Sequence, residues 1–143
     1  MMKRDAVRRT SRWAVGLMTA LALGLPGCGG DSDNGSDTFT DSRNLAVLEA
    51  FGLIFTAQRN GTVDVNVNWN NGGNDIDIYV TAGNCPNIDS LLNGNCNVIA
   101  FSESATAKPE TLTFGATNGQ LYTTWALNLG PSSDTVTIRL DAR

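Results

Sequence analysis

Asp75 and Asp77 follow the turn sequence NNGGN and carry the sharpest polar signal in the chain. Residues two apart on a strand share a face, so the carboxylates stand side by side. Hard oxygen ligands beside a turn suit calcium, with Asn74, Asn71 or a backbone carbonyl completing the shell. The same carboxylates could instead accept hydrogen bonds from the turn and the neighbouring strand, and the turn is shorter than an EF-hand loop. Asp75, Asp77, Glu103 and Glu110 are also the acids from which a paired-carboxylate hydrolase would be built. Other catalytic routes are closed. The chain has no histidine, which excludes Ser-His and Cys-His nucleophiles and histidine metal sites. It also has no glycine-rich loop of the Walker type. The expectation is a non-enzyme, with calcium as the one cofactor to test.

Tyr79 and Tyr122 fall on the opposite phase from their apolar neighbours. On a sandwich that phase faces solvent, which makes them the candidates for ligand contact. Trp69 and Trp125 are in register with apolar neighbours and are expected in the core. Thr123, Thr124, Thr135 and Thr137 read as outward-facing strand residues.

Near the start, Lys3, Arg4, Arg8, Arg9 and Arg12 precede an uncharged apolar run, Trp13 to Leu25. A helix needs about 18 or more apolar residues to cross a bilayer. This run is shorter and reads as an export signal. Leu25-Pro26-Gly27-Cys28 resembles the lipobox of bacterial lipoproteins, which implies a lipid on Cys28 and an address outside the cytoplasm. Plain secretion with Cys28 a free thiol, twin-arginine export through Arg8-Arg9, and an uncleaved anchor helix are the alternatives. Gly29 follows the anchor cysteine; by resemblance to the sorting rule of enterobacterial lipoproteins, that points to the outer membrane.

Three cysteines occur. With Cys28 lipidated, Cys85 and Cys96 are left as a pair, and an exported pair usually becomes a disulfide. Closing a loop of this size removes denatured-state entropy worth roughly 2.5–3 kcal/mol. A metal site is disfavoured by the missing histidine, and a redox pair by the absence of CxxC spacing.

The full chain has net charge −4, but half of its ten basic residues lie in the signal, leaving five basic and 13 acidic residues from Cys28 onward, a net of −8. Such an acidic surface argues against nucleic acid and against charge-driven binding to anionic lipid.

Positioning these residues falls to short strands. Thr62 to Trp69 (TVDVNVNW) alternates strictly, as do DIDIYVT at Asp75 to Thr81 and TVTIRL at Thr135 to Leu140. That period of two marks half-buried strands. Asn97 to Phe101, Glu110 to Phe114, Leu121 to Leu129, and the run of Phe51, Leu53 and Phe55 add further candidates. Asn44 to Ala50 fits a short helix or an early strand. Asn60-Gly61, Asn71-Gly72 and Asn118-Gly119 fall between strands and suit tight turns, while Asn93-Gly94 lies inside the cysteine loop. Before Asn44, GGDSDNGSDTFTDS reads as a flexible tether. The expected organisation is a signal at 1–27, a lipid-anchored linker at 28–43 and one domain at 44–143. The fold class is all-β: a single antiparallel, jelly-roll-like sandwich of seven or eight strands.

Four segments in order resemble the bacterial pre-peptidase C-terminal domain: Gly61 to Trp69, Asn74 to Tyr79, Pro109 to Phe114 and Gly119 to Trp125. That resemblance covers roughly Phe51 to Leu140. It implies a jelly-roll-like sandwich without catalysis of its own, some members binding calcium, collagen or polysaccharide. The function expected is a lipid-anchored binding or adhesion module at the cell envelope, with a polysaccharide or protein ligand and with the membrane reached through Cys28. The alternatives are an accessory subunit of an envelope complex or exported protease, and a carboxylate-dependent hydrolase.

Overall fold

Eight strands, several of them strictly alternating, and one short helix are seen in a computed structural model that describes residues 35–143. The signal segment, Cys28 and the first residues of the expected linker lie outside the described residues. The elements run β1 (Asp37–Leu45), β2 (Ala50–Thr56), β3 (Gly61–Trp69), β4 (Ile76–Ala82), α1 (Ile88–Leu92), β5 (Asn97–Ser102), β6 (Glu110–Ala116), β7 (Leu121–Asn128) and β8 (Asp134–Ala142).

All pairs are antiparallel and form two four-stranded sheets. The first has the order β1-β8-β3-β6, the second β2-β7-β4-β5. Consecutive strands mostly alternate between sheets, the arrangement of a jelly roll. Between the sheets lie Val63, Val65 and Val67 of β3, Ile76, Ile78 and Val80 of β4, and Val136, Ile138 and Leu140 of β8, all fully buried. Each such side chain contributes roughly 1.5–3 kcal/mol of burial. One end is filled by Phe39, Phe55, Phe114 and Tyr122, with ring centroids 5.3–6.3 Å apart.

Two elements depart from expectation. β1 occupies sequence expected to be tether: Asp37↔Ala142 through Leu45↔Asp134 pair along all of β8. Its composition is polar because it is an edge strand with one solvent-facing side, where Thr38 and Ser42 bond across to Asp141 and Thr137. The cysteine loop also carries α1, capped by Asn87, whose side chain accepts from the Ser90 amide. Cys85 and Cys96 are joined, with Cα atoms 5.4 Å apart.

Candidate functional site

Sheet register builds the site. On the outer face of the second sheet Gly52 lies opposite Trp125, Trp125 opposite Tyr79, and Tyr79 opposite Phe101. An aromatic row therefore crosses three strands, with Gly52 at its end on the fourth. Glycine leaves room for the indole: a Cβ at Gly52 would come within 2.8 Å of Thr123 Cγ2 and 3.2 Å of Trp125. Over the middle of this row folds the disulfide loop. Cys85, Leu91 and Trp125 form a second small core, with Tyr79, Ile88, Ala50 and Cys96 packed against it.

Beside that cap the face is open. Tyr79, Leu91, Leu92, Val98, Phe101 and Glu103 line a groove of about 340 Å³. Phe101 is 62% exposed and Leu92 63%, with Ile54, Val98 and Ile99 exposed on the same sheet. Large apolar side chains are unusual on the solvent face of a sandwich, where alternation normally places polar residues.

Glu103 brings a carboxylate to the groove. The Tyr79 hydroxyl donates to Glu103 Oε1 at 2.7 Å and lies 3.3 Å from Asp77 Oδ2. One hydroxyl hydrogen serves one acceptor well, so Glu103 takes it and Asp77 is left short of a donor. Burial pushes the Asp77 carboxyl up to about 6, helped by Asp75 and, less, by Glu103 and Glu110, and opposed by the Tyr79 hydroxyl. Once protonated, Asp77 can donate to the Tyr79 oxygen, completing a relay to Glu103. Burial and the Glu103 bond hold the Tyr79 phenol well above its ordinary value. Glu110 comes from the first sheet; its Oε1 accepts from Ser102 Oγ and the Ser104 amide. Its Oε2, and Oδ1 of Asp75, are buried without a hydrogen-bond partner.

The residues expected to act together separate. Tyr79 is on the outer face as expected. Tyr122 is not: it is 3% exposed, stacked on Phe55, and its hydroxyl accepts from the Thr117 amide. The phase of β7 was ambiguous because this central strand is buried on both faces. Tyr122 points between the sheets and Trp125 outward under the disulfide loop. Thr123 and Thr124, expected outside, are both buried for the same reason.

The expected calcium set also divides. Asn74 is buried and fully committed: its amide donates to Asp134 Oδ2 at 3.0 Å, and its carbonyl accepts from the Ser132 amide and hydroxyl. It thus serves the β3–β4 turn and Asp134, whereas Asp77 serves Tyr79. Among the described residues no group of three or more acidic or thiol side chains is arranged to hold a metal ion.

The first sheet offers different chemistry. A polar groove of about 360 Å³ on its outer face is lined by residues including Thr40, Asn66, Asn68, Thr135, Thr137 and Arg139. Trp69 borders it, buried as expected, with Lys108 5.9 Å from its ring centre.

Fold and surface together define a class: a jelly-roll sandwich with one apolar, acid-rimmed outer face and one neutral, hydroxyl- and amide-rich outer face. Two solved structures share this fold. One is PliG from Aeromonas hydrophila, a periplasmic lysozyme inhibitor of g-type lysozyme (TM-score 0.56, 9% identity, covering 76% of this chain and 89% of that one). The other is the Yersinia pseudotuberculosis-derived mitogen (TM-score 0.51, 15% identity, 74% of this chain and 84% of that one). At these identities the likeness is one of fold alone. No family model matches the chain, and no curated protein matches it.

Proposed function

We propose that this protein is an exported, non-enzymatic binding module, lipid-anchored through Cys28 at the cell envelope, that takes a protein on the outer face of its second sheet. One observation carries the reading: Leu92, Val98 and Phe101 line one groove and expose apolar surface on a face that a free-standing sandwich would make polar. The Cys85–Cys96 bond supports export, since such bonds persist in oxidising compartments. The Aeromonas protein of the same fold is a lysozyme inhibitor, so lysozymes belong among the proteins to try. The accessory-subunit role is a special case of this reading.

The test is cross-linking capture from intact cells with the full chain, Cys28→Ser and Phe101→Asp. A single partner at fixed ratio, lost with Phe101→Asp, is the expected result. Retention of that partner by Phe101→Asp would remove the second-sheet face from the proposal. Loss with Cys28→Ser reports the anchor separately.

A second reading rests on the polar groove of the first sheet. Its neutral hydroxyls and amides, with Arg139 at hand, suit a polysaccharide better than an apolar protein surface. Asn66→Ala and Thr137→Ala would weaken polysaccharide retention there and leave protein capture unchanged.

A further inference from the structure

Charge is sorted between the two sheets. Arg43 pairs with Asp41, Arg59 with Asp37, Arg139 with Asp141 and Arg143 with Asp64, all on the strands of the first sheet or the turns beside it. Lys108 donates to the Asn70 carbonyl at the end of β3. Those five are every basic residue between 35 and 143. Strands β2, β4, β5 and β7 and helix α1 carry none. Their charges are acidic: Asp77 on β4 and Asp89 on α1, flanked by Asp75 and Glu103. None of these four is in an ion pair among the described residues.

The carboxylates are also crowded. Asp75, Glu103 and Glu110 all act on Asp77. Glu110, only 1% exposed, keeps one oxygen without a hydrogen-bond partner. Like charges near one another favour the approach of a cation, and Glu103 is the exposed member that one can reach. Glu103 lines the apolar groove itself, so a positive group there would sit beside an apolar one.

We infer that the second-sheet face docks a basic protein surface, seating one apolar side chain in the groove between Leu92 and Phe101 with an adjacent Lys or Arg against Glu103. The inference deepens the protein-binding reading above and depends on it. A second copy of this chain is the poorer fit: its four arginines are already paired with aspartates and its Lys108 is bonded to the Asn70 carbonyl.

Three bead-displayed peptides test it against the purified full chain: Phe flanked by Arg, Phe flanked by Glu, and Ser flanked by Arg. The Arg-Phe peptide should capture at least ~10-fold more protein than either other, and lose most of that advantage between about 0.05 and 0.5 M salt as the Debye length shrinks. Phe101→Ser should abolish capture, and Glu103→Gln should lower it several-fold with an unchanged melting temperature. Equal capture of the Glu-flanked peptide would overturn the charge inference and leave the apolar docking face standing. Equal capture of the Arg-Ser peptide, or capture insensitive to Phe101→Ser, would mean that charge alone acts and the groove is not used. Capture of none of the peptides would overturn the inference, while the fate of the cellular partner in Phe101→Asp decides the broader reading independently.

Discussion

Two buried carboxylates of this domain respond to pH with opposite sign. Asp134 is buried, yet the amides of Asn71 and Asn70 and the side chain of Asn74 donate to it and outweigh that burial, so its carboxyl lies below the ordinary 3.8. Its folded-state pKa is depressed, so the stability it contributes is present above the ordinary carboxylate pKa and lost as pH falls through the folded value. Asp134→Ala leaves those donors unsatisfied and should cost about 1–3 kcal/mol at neutral pH. Asp77 is the reverse case. Its folded state holds the proton up to about pH 6 against 3.8 in the unfolded chain, so the charged form costs stability above 6 and the cost fades towards 4. Asp77→Asn should therefore melt higher than the parent at pH 7.5, with the difference closing by pH 4. A melting series from pH 7.5 down to about pH 2 checks both, the Asp77 effect between 7.5 and 4 and the Asp134 effect below 4; a constant gap for Asp77→Asn would mean that its titration is not coupled to folding. The tyrosines divide in the same way. Tyr122→Ala empties the aromatic end of the core and should cost about 3–5 kcal/mol in chemical denaturation, the scale of a large-to-small core change. Tyr79→Ala, on the half-buried outer face, should cost less and alter binding instead.

At the scale of elements, the disulfide loop is the least expected piece of architecture, and its helix borders the groove proposed to bind. Alternation in TVDVNVNW and TVTIRL made β3 and β8 legible, because each has one buried and one solvent face. It failed on LYTTWALN, where β7 is central and the loop covers its outer side, so both phases are buried and no period of two survives. It failed on β1 for the opposite reason, since an edge strand with few apolar residues resembles a tether. The Cys85–Cys96 pairing was legible from cysteine number; that the loop folds back onto Trp125 depends on packing between distant segments. The groove does have a sequence signal: NVIAF puts four apolar residues in succession on a short strand, so some must face water. Reduction of the disulfide should release α1 from Trp125. The expected signature is a shift of indole fluorescence towards longer wavelength with the sandwich still folded, and a stability loss of about 2–3 kcal/mol. Unchanged fluorescence after reduction would show that Leu91 and Ile88 hold the loop by packing alone.

For the molecule as a whole, the question is where the folding unit begins. β1 is an edge strand of the first sheet, and its nine register pairs cover β8 from Leu45↔Asp134 to Asp37↔Ala142. Leu45 is fully buried and Phe39 packs tilted against Phe55, 5.4 Å between ring centroids, so the strand contributes to the core as well as to the ladder. Removing it would uncover the backbone of β8, whose apolar residues Val136, Ile138 and Leu140 form much of the core. An uncovered edge of that kind invites pairing with another chain. A chain beginning at Asn44 should accordingly melt well below one beginning at Gly35, and should self-associate in sedimentation at concentrations where the longer chain stays monomeric. Equal melting and sedimentation of the two would return β1 to the role of tether. The distinction matters for how the module is displayed. With β1 in the sheet, the length between Cys28 and the folded domain shrinks to the residues before Asp37, and a lipid on Cys28 would hold the sandwich close to the membrane surface.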